Sequence, residues 1–377
     1  MLSFWEKKYF TSFDALIIGS GVVGLSTAYY LRKKHPDWRI AILERGMLPS
    51  GASTKNAGFA CMGSPTELLD DLQHHSEQEV VALFMLRKKG LERLQSILGK
   101  EAMGYQTNGS YELLHENDLY ASERLDYLNA LLHHELGVPA FALRTEKLNA
   151  FGFNTNKVKA LVENLLEGEI DTGKMMKNYL SLLRSLHVEC FTGTHVSSIQ
   201  EDVTKGVEVL CKDTLGQAIQ LTAKYLFVCN NAFATSLLPN YDVVPGRGQV
   251  LITEPIEALK FKGIFHFNQG YYYFREYEGR VLFGGGRNLD KQTENTTAFE
   301  FNDAIQKDLE EKLQSLILPE TPFKVAHRWT GIMAFGSTKK PIVKKHSEHI
   351  YVGVRMGGMG VAIGSEIGFR LANMLDE

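Results

Sequence analysis

The sequence is poor in cysteine, and its few cysteines are not arranged as a metal site or a disulfide framework. Among 377 residues there are four, Cys61, Cys190, Cys211 and Cys229. They form no C-x-x-C pair, and no histidine pattern accompanies them. Zinc sites and disulfide-rich domains both depend on such closely spaced ligands. The sequence therefore predicts neither a metal ion nor disulfide bonds.

Long apolar runs and basic clusters are also missing. No stretch is long enough for a membrane-spanning helix, and residues 1–10 lack the apolar core of a secretory signal. The formal net charge is −3 without a lysine and arginine stripe, which argues against nucleic acid as the main partner. We expect a cytoplasmic protein of two domains that acts on a small molecule. The sequence does not indicate an oligomeric state.

What the sequence does contain, near its N-terminus, is an apolar run followed by three glycines at the spacing G-x-G-x-x-G. The run is Ala15 to Ile18, and the glycines are Gly19, Gly21 and Gly24. In a dinucleotide-binding unit these glycines permit a tight turn, close approach of backbone to a pyrophosphate, and close packing of helix on sheet. The helix that follows would present the N–H groups of Val22 and Val23 to the phosphates.

The next residues complete a βαβ unit. We predict a helix from Val22 to Lys34 and a second strand from Arg39 to Leu43. Glu44 follows at once, twenty residues beyond Gly24. A carboxylate at that distance can accept hydrogen bonds from an adenosine ribose. The combination favours a bound dinucleotide over an ordinary glycine turn.

A loop of glycine and small polar residues follows Glu44 and is well placed to continue along the same ligand. With the glycine motif and Glu44, its G-A-S-x-x-N-A-G pattern resembles the D-amino-acid oxidase superfamily of FAD-dependent oxidoreductases, in the glycine oxidase and sarcosine oxidase branch. The candidate FAD contacts of this loop are Arg45, Gly51, Ala52, Ser53, Asn56, Ala57 and Gly58.

The resemblance covers nearly the whole chain and implies its fold. It implies an α/β protein, with a Rossmann-like FAD-binding domain and a discontinuous substrate domain built on a mixed or antiparallel sheet. We assign residues 1–75, 165–240 and 338–377 to the FAD-binding domain, and residues 76–164 and 241–337 to the substrate and cap domain. Helix-like leucine spacing between about residues 66 and 137 predicts a helical cap.

Later segments carry further candidate FAD contacts. In the superfamily the residue that matches Val196 holds the adenine side through its backbone, and Asn230 follows a strand that returns to the FAD-binding domain. The last glycine-rich turn precedes a terminal helix, whose positive end can stabilise a reduced flavin. Its candidate residues are Gly357, Gly358, Met359, Gly360 and Val361. Three glycine-rich segments favour FAD over NAD. Because residues 51–58 contain no histidine or cysteine, we expect non-covalent binding.

The resemblance also implies the chemistry. In this superfamily a hydride passes from the carbon next to the amine to flavin N5, and the imine is then hydrolysed. We therefore expect an amine or amino-acid oxidase that acts on a small amino acid or secondary amine, with oxygen reoxidising the flavin. Two alternatives stay open: a dehydrogenase that passes electrons to a quinone or carrier, and a flavoprotein of the tRNA-modification type.

The substrate end departs most from the family pattern. Relatives carry arginines in the W-x-G-x-R turn and the final glycine-rich turn, where this sequence has Met333 and Gly358. A bidentate arginine is the usual partner of a substrate carboxylate, so we expect Arg287, or else Arg355, to serve. Strand alternation lets only one of two adjacent tyrosines face the substrate; we name Tyr272 as the candidate and keep Tyr273 as its alternative.

Overall fold

A computed structural model describes residues 2–214 and 216–376, so the predicted domain limits at residues 1 and 377 lie outside the described residues. The α-helices are α1 (Phe4–Phe10), α2 (Val22–Lys34), α3 (Ala52–Lys55), α4 (Pro65–His74), α5 (Glu77–Leu98), α6 (Lys100–Met103), α7 (Tyr120–Glu123), α8 (Leu125–Leu136), α9 (Leu148–Phe151), α10 (Thr172–Ser185), α11 (Asp303–Lys312) and α12 (Gly360–Asn373). The β-strands are β1 (Ser12–Ile18), β2 (Ile40–Leu43), β3 (Phe59–Ala60), β4 (Ser110–Leu114), β5 (Phe141–Leu143), β6 (Ala160–Asn164), β7 (Gly168–Glu169), β8 (Glu189–Phe191), β9 (His195–Asp202), β10 (Gly206–Lys212), β11 (Ala218–Val228), β12 (Val244–Thr253), β13 (Ile264–Phe267), β14 (Tyr272–Tyr277), β15 (Arg280–Gly285), β16 (Val325–Phe335), β17 (Ile342–Lys345) and β18 (Ile350–Val354).

The first sheet contains the predicted βαβ unit. Its strands lie in the order β17, β18, β11, β1, β2, β8, and β1 pairs in parallel with both β2 and β11. Strands β9 and β10 extend β11 as an antiparallel meander. Ala15 and Ile17 enter one buried core, while Leu16 and Ile18 enter another. Because both faces of β1 are covered, its sequence is a continuous apolar run rather than an alternating one.

Helices pack on one face of this sheet. A Cβ on Gly24 would collide with the carbonyl oxygen of Gly19, so glycine is what lets α2 approach β1. Helix α12 packs on α2, and α5 packs on α12, where Arg93 forms an ion pair with Glu366. Helix α5 thus packs mainly on a helix of the first sheet, whereas the boundary that we predict at residue 76 assigns it to the cap.

The second sheet is mixed and is built from two separate parts of the chain. Its order is β16, β12, β15, β14, β13, β4, β6, β5, with β13 and β4 parallel. The predicted helical cap is wrong where residues Ser110–Leu114 form β4. All five residues are buried, and the strand pairs with β13 on one side and β6 on the other. Pairing within a sheet outweighs the helical preference of the flanking sequence.

The two sheets confirm the predicted α/β fold with a discontinuous second domain. The chain crosses between them four times, after β2, β6, β11 and β16. The carboxyl ends of β1, β2 and β11 point toward one face of the second sheet. The opposite face carries a core of stacked rings, in which the ring centres of Phe265 and Phe274 lie 4.8 Å apart. Within the described residues, every helix is too short or too polar to cross a bilayer.

Candidate active site

One cavity, with a volume of about 1060 Å³, lies between the carboxyl ends of the first sheet and the face of the second. Every candidate FAD contact except Gly24 and Gly58 lines it. These residues are Gly19, Gly21, Val22, Val23, Glu44, Arg45, Gly51, Ala52, Ser53, Asn56, Ala57, Val196, Asn230, Gly357, Gly358, Met359, Gly360 and Val361. Gly24 lies at the contact between helix and sheet, and the carbonyl of Gly58 accepts a hydrogen bond from Arg275 Nη1 at 3.2 Å.

Two helices of more than ten residues begin at the cavity without a side-chain cap. Helix α2 has Gly21 at its N-cap position, and α12 has Met359. The N–H of Val22 donates to Ser53 Oγ at 3.0 Å, while the first turn of each helix keeps donors that no helical carbonyl can reach. A Cβ on Gly21 would lie 3.0 Å from Ser53 Oγ, so glycine keeps the approach open. Both helix ends suit an anion or a partly negative ring.

Glu44 is buried at the end of β2, beside the α2 end of the cavity. Its carboxylate accepts hydrogen bonds from Ser20 N at 3.2 Å, Ser20 Oγ at 2.6 Å and Gly46 N at 2.9 Å. These bonds fix the carboxylate where ribose hydroxyls would reach it. Next to it the guanidinium of Arg45 lies 4.1 Å from the centre of the Phe233 ring, which makes a flat wall.

An unpartnered acceptor lies in the wall of the cavity. Asn230 Oδ1 is buried and has no hydrogen-bond partner among the described residues. Its neighbour Asn231 accepts from the backbone N–H groups of Arg355 at 2.9 Å and Met356 at 3.3 Å, and so holds the turn that leads into α12. A buried acceptor needs a donor. With the two uncapped helices and Glu44, these residues fit an extended dinucleotide with polar groups along its length.

Arg287 also lies in the wall of the cavity, where the second sheet contributes to it. Its Nη2 donates to Asn295 Oδ1 at 2.5 Å, its guanidinium lies 4.4 Å from the Phe335 ring centre, and its buried Nε has no partner among the described residues. Among the residues that the structure describes, no carboxylate oxygen lies within 4.0 Å of a guanidinium nitrogen of Arg287. Burial lowers the pKa of the guanidinium, yet arginine stays charged in proteins. The cavity therefore contains a cation without a counter-ion.

The other two substrate candidates lie away from the cavity. Tyr272 is 1% exposed and donates from its hydroxyl to Asp308 Oδ2 at 2.8 Å, on the far face of the sheet. Arg355 pairs with Asp242 at 2.5 Å and donates to the carbonyl of Lys340, so it ties two loops together. Of the two candidate tyrosines, Tyr273 is the one that lines the cavity. Burial raises its pKa to about 12, so its hydroxyl keeps its proton at neutral pH.

Several cavity residues were not among our candidates. His266 is the register partner of Tyr273 in the adjacent strand, and both line the cavity. Burial lowers the pKa of His266 to about 4, so the imidazole is neutral near pH 7. Helix α4 contributes Glu67, Asp70, Asp71 and His74. Their spacing of i, i+3, i+4, i+7 is a sequence signal for one helix face, whereas nothing in the sequence pairs His266 with Tyr273.

Known proteins resemble this chain in short stretches of sequence and over nearly the whole fold. Thiamine thiazole synthase of Eremothecium gossypii is 41% identical over 70 residues, which are 18% of this chain and 21% of that protein. Sarcosine oxidase subunit beta of Arthrobacter sp is 47% identical over 45 residues, 12% of this chain and 11% of that one. The matches thus span about a fifth or less of these relatives.

Solved structures match with low sequence identity. L-proline dehydrogenase from P. horikoshii has a TM-score of 0.77 at 16% identity and covers 97% of this chain and 93% of its own. Glycine oxidase from Geobacillus kaustophilus has 0.75 at 18%, covering 97% and 95%. L-amino acid deaminase from Proteus myxofaciens, in complex with anthranilate, has 0.75 at 13%, covering 97% and 90%. These TM-scores establish a shared fold.

A family model described as FAD dependent oxidoreductase (DAO) matches residues 14–374. The match spans both sheets and every segment that lines the cavity. It confirms FAD as the cofactor predicted from the glycine-rich segments, and it confirms the predicted enzyme class. The chain belongs to the DAO family of FAD-dependent oxidoreductases.

Proposed function

We propose that the protein oxidises the C–N bond of a small amino acid or secondary amine. The observation that carries the proposal is Arg287, a cation without a counter-ion in the cavity wall. Arg287 is half-buried, and a charge that is partly removed from water is stabilised by an opposite charge. A substrate carboxylate would supply that charge. Two structural neighbours are named for the small amino acids proline and glycine, which supports this substrate class.

In this proposal the cofactor extends along the cavity from Glu44 to the start of α12. Glu44 would accept from the ribose, and the first turn of α2 would face the pyrophosphate. The residues 357–361 would place the positive end of α12 beside the flavin ring. Bound FAD supplies the hydride acceptor. The domain division at residues 1–75, 165–240 and 338–377 stays a proposal, with α5 added to this domain by its packing.

We propose that Arg287 takes the place of the family arginine that is missing at Met333. Gly246 on β12 is the register partner of Met333 on β16. A Cβ on Gly246 would lie 2.8 Å from Arg287 Nε, so the Arg287 side chain reaches the strand pair where the family arginine would begin. Arg287 comes from the end of β15 instead. The guanidinium that would bind the substrate carboxylate thus comes from the end of β15 and reaches the β12–β16 strand pair.

The remaining residues of this end suit an amine. The neutral imidazole of His266 and the protonated hydroxyl of Tyr273 can hydrogen-bond a neutral amine without drawing off its lone pair as a strong acid would. Phe59, Met333 and Phe335 add apolar surface, which limits water around the reacting carbon. The protein's contribution is then orientation of the substrate by Arg287 at one end and these polar groups beside it.

Non-covalent attachment and oxygen as acceptor are part of the same proposal. Two cysteines, Cys61 and Cys229, line the cavity. Burial raises the pKa of the Cys61 thiol well above its ordinary value and that of Cys229 to about 12. Thiols in that state are poor nucleophiles, which supports FAD held by contacts alone.

The test is an anaerobic titration of the FAD-loaded protein with a panel of small amino acids and N-methyl amines. We expect one or more of them to bleach the oxidised flavin spectrum within seconds to minutes. Admission of air should then restore the spectrum with formation of peroxide; restoration only by an added quinone would instead indicate a dehydrogenase. A fully loaded protein whose flavin no compound bleaches would contradict the proposed substrate class.

A further inference from the structure

The contacts that hold the Arg287 guanidinium include no carboxylate among the described residues. The Phe335 ring lies on one side, and the backbone of Gly246 lies close to Nε. Asn295 Oδ1 accepts from Nη2 at 2.5 Å. An amide oxygen orients a donor but carries no net charge. The donors of Nη1 remain available to a ligand.

A buried ion pair fixes the backbone directly before Asn295. Glu294 is fully buried and accepts from Arg247 Nε at 2.9 Å and from Arg247 Nη2 at 2.7 Å. Gln249 and Asn302 each donate to the same carboxylate at 3.1 Å. The backbone N–H of Arg247 also donates to the Glu294 carbonyl at 2.7 Å. Glu294 is therefore pinned to β12 through side chain and backbone.

Position along β12 links this pair to Arg287. Arg247 follows Gly246, whose backbone lies close enough to Arg287 that an added Cβ would be 2.8 Å from Nε. The strand thus places Gly246 under the guanidinium and sends the side chain of Arg247 to Glu294. One strand segment sets both the surface beneath Arg287 and the anchor of the loop that brings Asn295 to it.

We propose that Asn295, held by the Arg247–Glu294 pair, is a positioning residue that keeps Arg287 aimed into the cavity while leaving its charge free for a substrate carboxylate. The proposal rests on the proposed function, because it needs Arg287 to bind that carboxylate. A carboxylate in place of the amide would form a charge-assisted pair with Arg287 and compete with the ligand. Asn295 therefore sets the preference for substrates that carry a carboxylate.

The test compares Asn295→Asp with Asn295→Ala in the FAD-loaded full chain. Anthranilate is the probe and aniline its match without the carboxylate, and binding is measured from the change in the flavin absorbance. Asn295→Ala should weaken anthranilate about 5-fold through loss of orientation, and Asn295→Asp about 50-fold through neutralisation. Aniline binding should change less than about 2-fold in both. The exposed Thr297→Asp adds the same charge two residues away and should leave both affinities near wild type.

The positioning role of Asn295 and the carboxylate-binding role of Arg287 can be rejected separately. If Asn295→Asp weakens anthranilate no more than Asn295→Ala does, or weakens aniline equally, the positioning role is wrong. Arg287 remains the anchor in that case whenever Arg287→Met still abolishes the preference for anthranilate over aniline. If Arg287→Met keeps that preference, the carboxylate anchor of the proposed function itself is wrong. Asn295 is exposed, so its variants should fold, and their FAD content reports this directly.

Discussion

Replacing Arg287 with methionine should slow the oxidation of an amino acid far more than that of its decarboxylated counterpart. Methionine keeps an unbranched apolar side chain against Phe335 but removes the charge and the donors. A hydrogen bond to a charged group contributes about 1.5 to 3 kcal/mol. Loss of about 3 kcal/mol corresponds to a fall of about 150-fold in kcat/KM, since each 1.36 kcal/mol is tenfold.

The assay follows anaerobic flavin reduction by stopped flow with a matched pair such as proline and pyrrolidine. In the wild type, proline should reduce the flavin with a higher kcat/KM than pyrrolidine does. In Arg287→Met the two kcat/KM values should become similar, because pyrrolidine has no carboxylate for the arginine to bind. Arg355→Met is the control, since that side chain pairs with Asp242 outside the cavity. Arg355→Met should lower the stability of the protein without changing the ratio of kcat/KM for proline to kcat/KM for pyrrolidine. An equal loss for both substrates in Arg287→Met would refute the anchor.

Three further predictions concern other parts of the site. Tyr273→Phe should lower flavin reduction at least several-fold, while Tyr272→Phe should lower the melting temperature through the lost bond to Asp308 and leave the reduction rate unchanged. Gly21→Ala should raise the Kd for FAD at least about tenfold, measured by cofactor release, because its Cβ enters the approach to the pyrophosphate; unchanged affinity would contradict that placement. Burial raises the pKa of Glu112 to about 7, so the folded state binds this proton more tightly than the unfolded state. The stability it contributes is present below about pH 4.5 and is lost as pH rises through 7. Glu112→Gln should therefore narrow the difference in melting temperature between about pH 5 and pH 8, and an unaltered difference would show that Glu112 does not titrate there.

The cofactor half could be predicted because its signals are local in sequence. Glycine spacing, an apolar run and the position of Glu44 all report on one βαβ unit, and α2 begins and ends at the predicted residues. The need for glycine at position 24 is set by the backbone of Gly19, five residues away, whereas a Cβ on Gly19 or Gly21 would meet the more distant Cys229 or Ser53. Local physics therefore carried the prediction from motif to fold.

The substrate half depends on contacts between distant segments, and the sequence alone could not resolve them. Strand alternation predicts that one of Tyr272 and Tyr273 faces the cavity. Which of the two does so depends on the register of β14 with β13 and β15. Arg355 is not available to a substrate because it pairs with Asp242, which is distant in the sequence. The surroundings of Arg287 combine residues from β12, β16 and the loop before α11, so no spacing rule describes them.

The position of a bound carboxylate is the most direct test of how this protein binds its substrate. A crystal structure of the FAD-loaded protein with anthranilate would give it. We expect a carboxylate oxygen within about 3.2 Å of the Arg287 guanidinium, with Asn295 still in contact with Nη2. A carboxylate bound instead to Lys55 or Lys339, which also line the cavity, with Arg287 left without an anion, would contradict it.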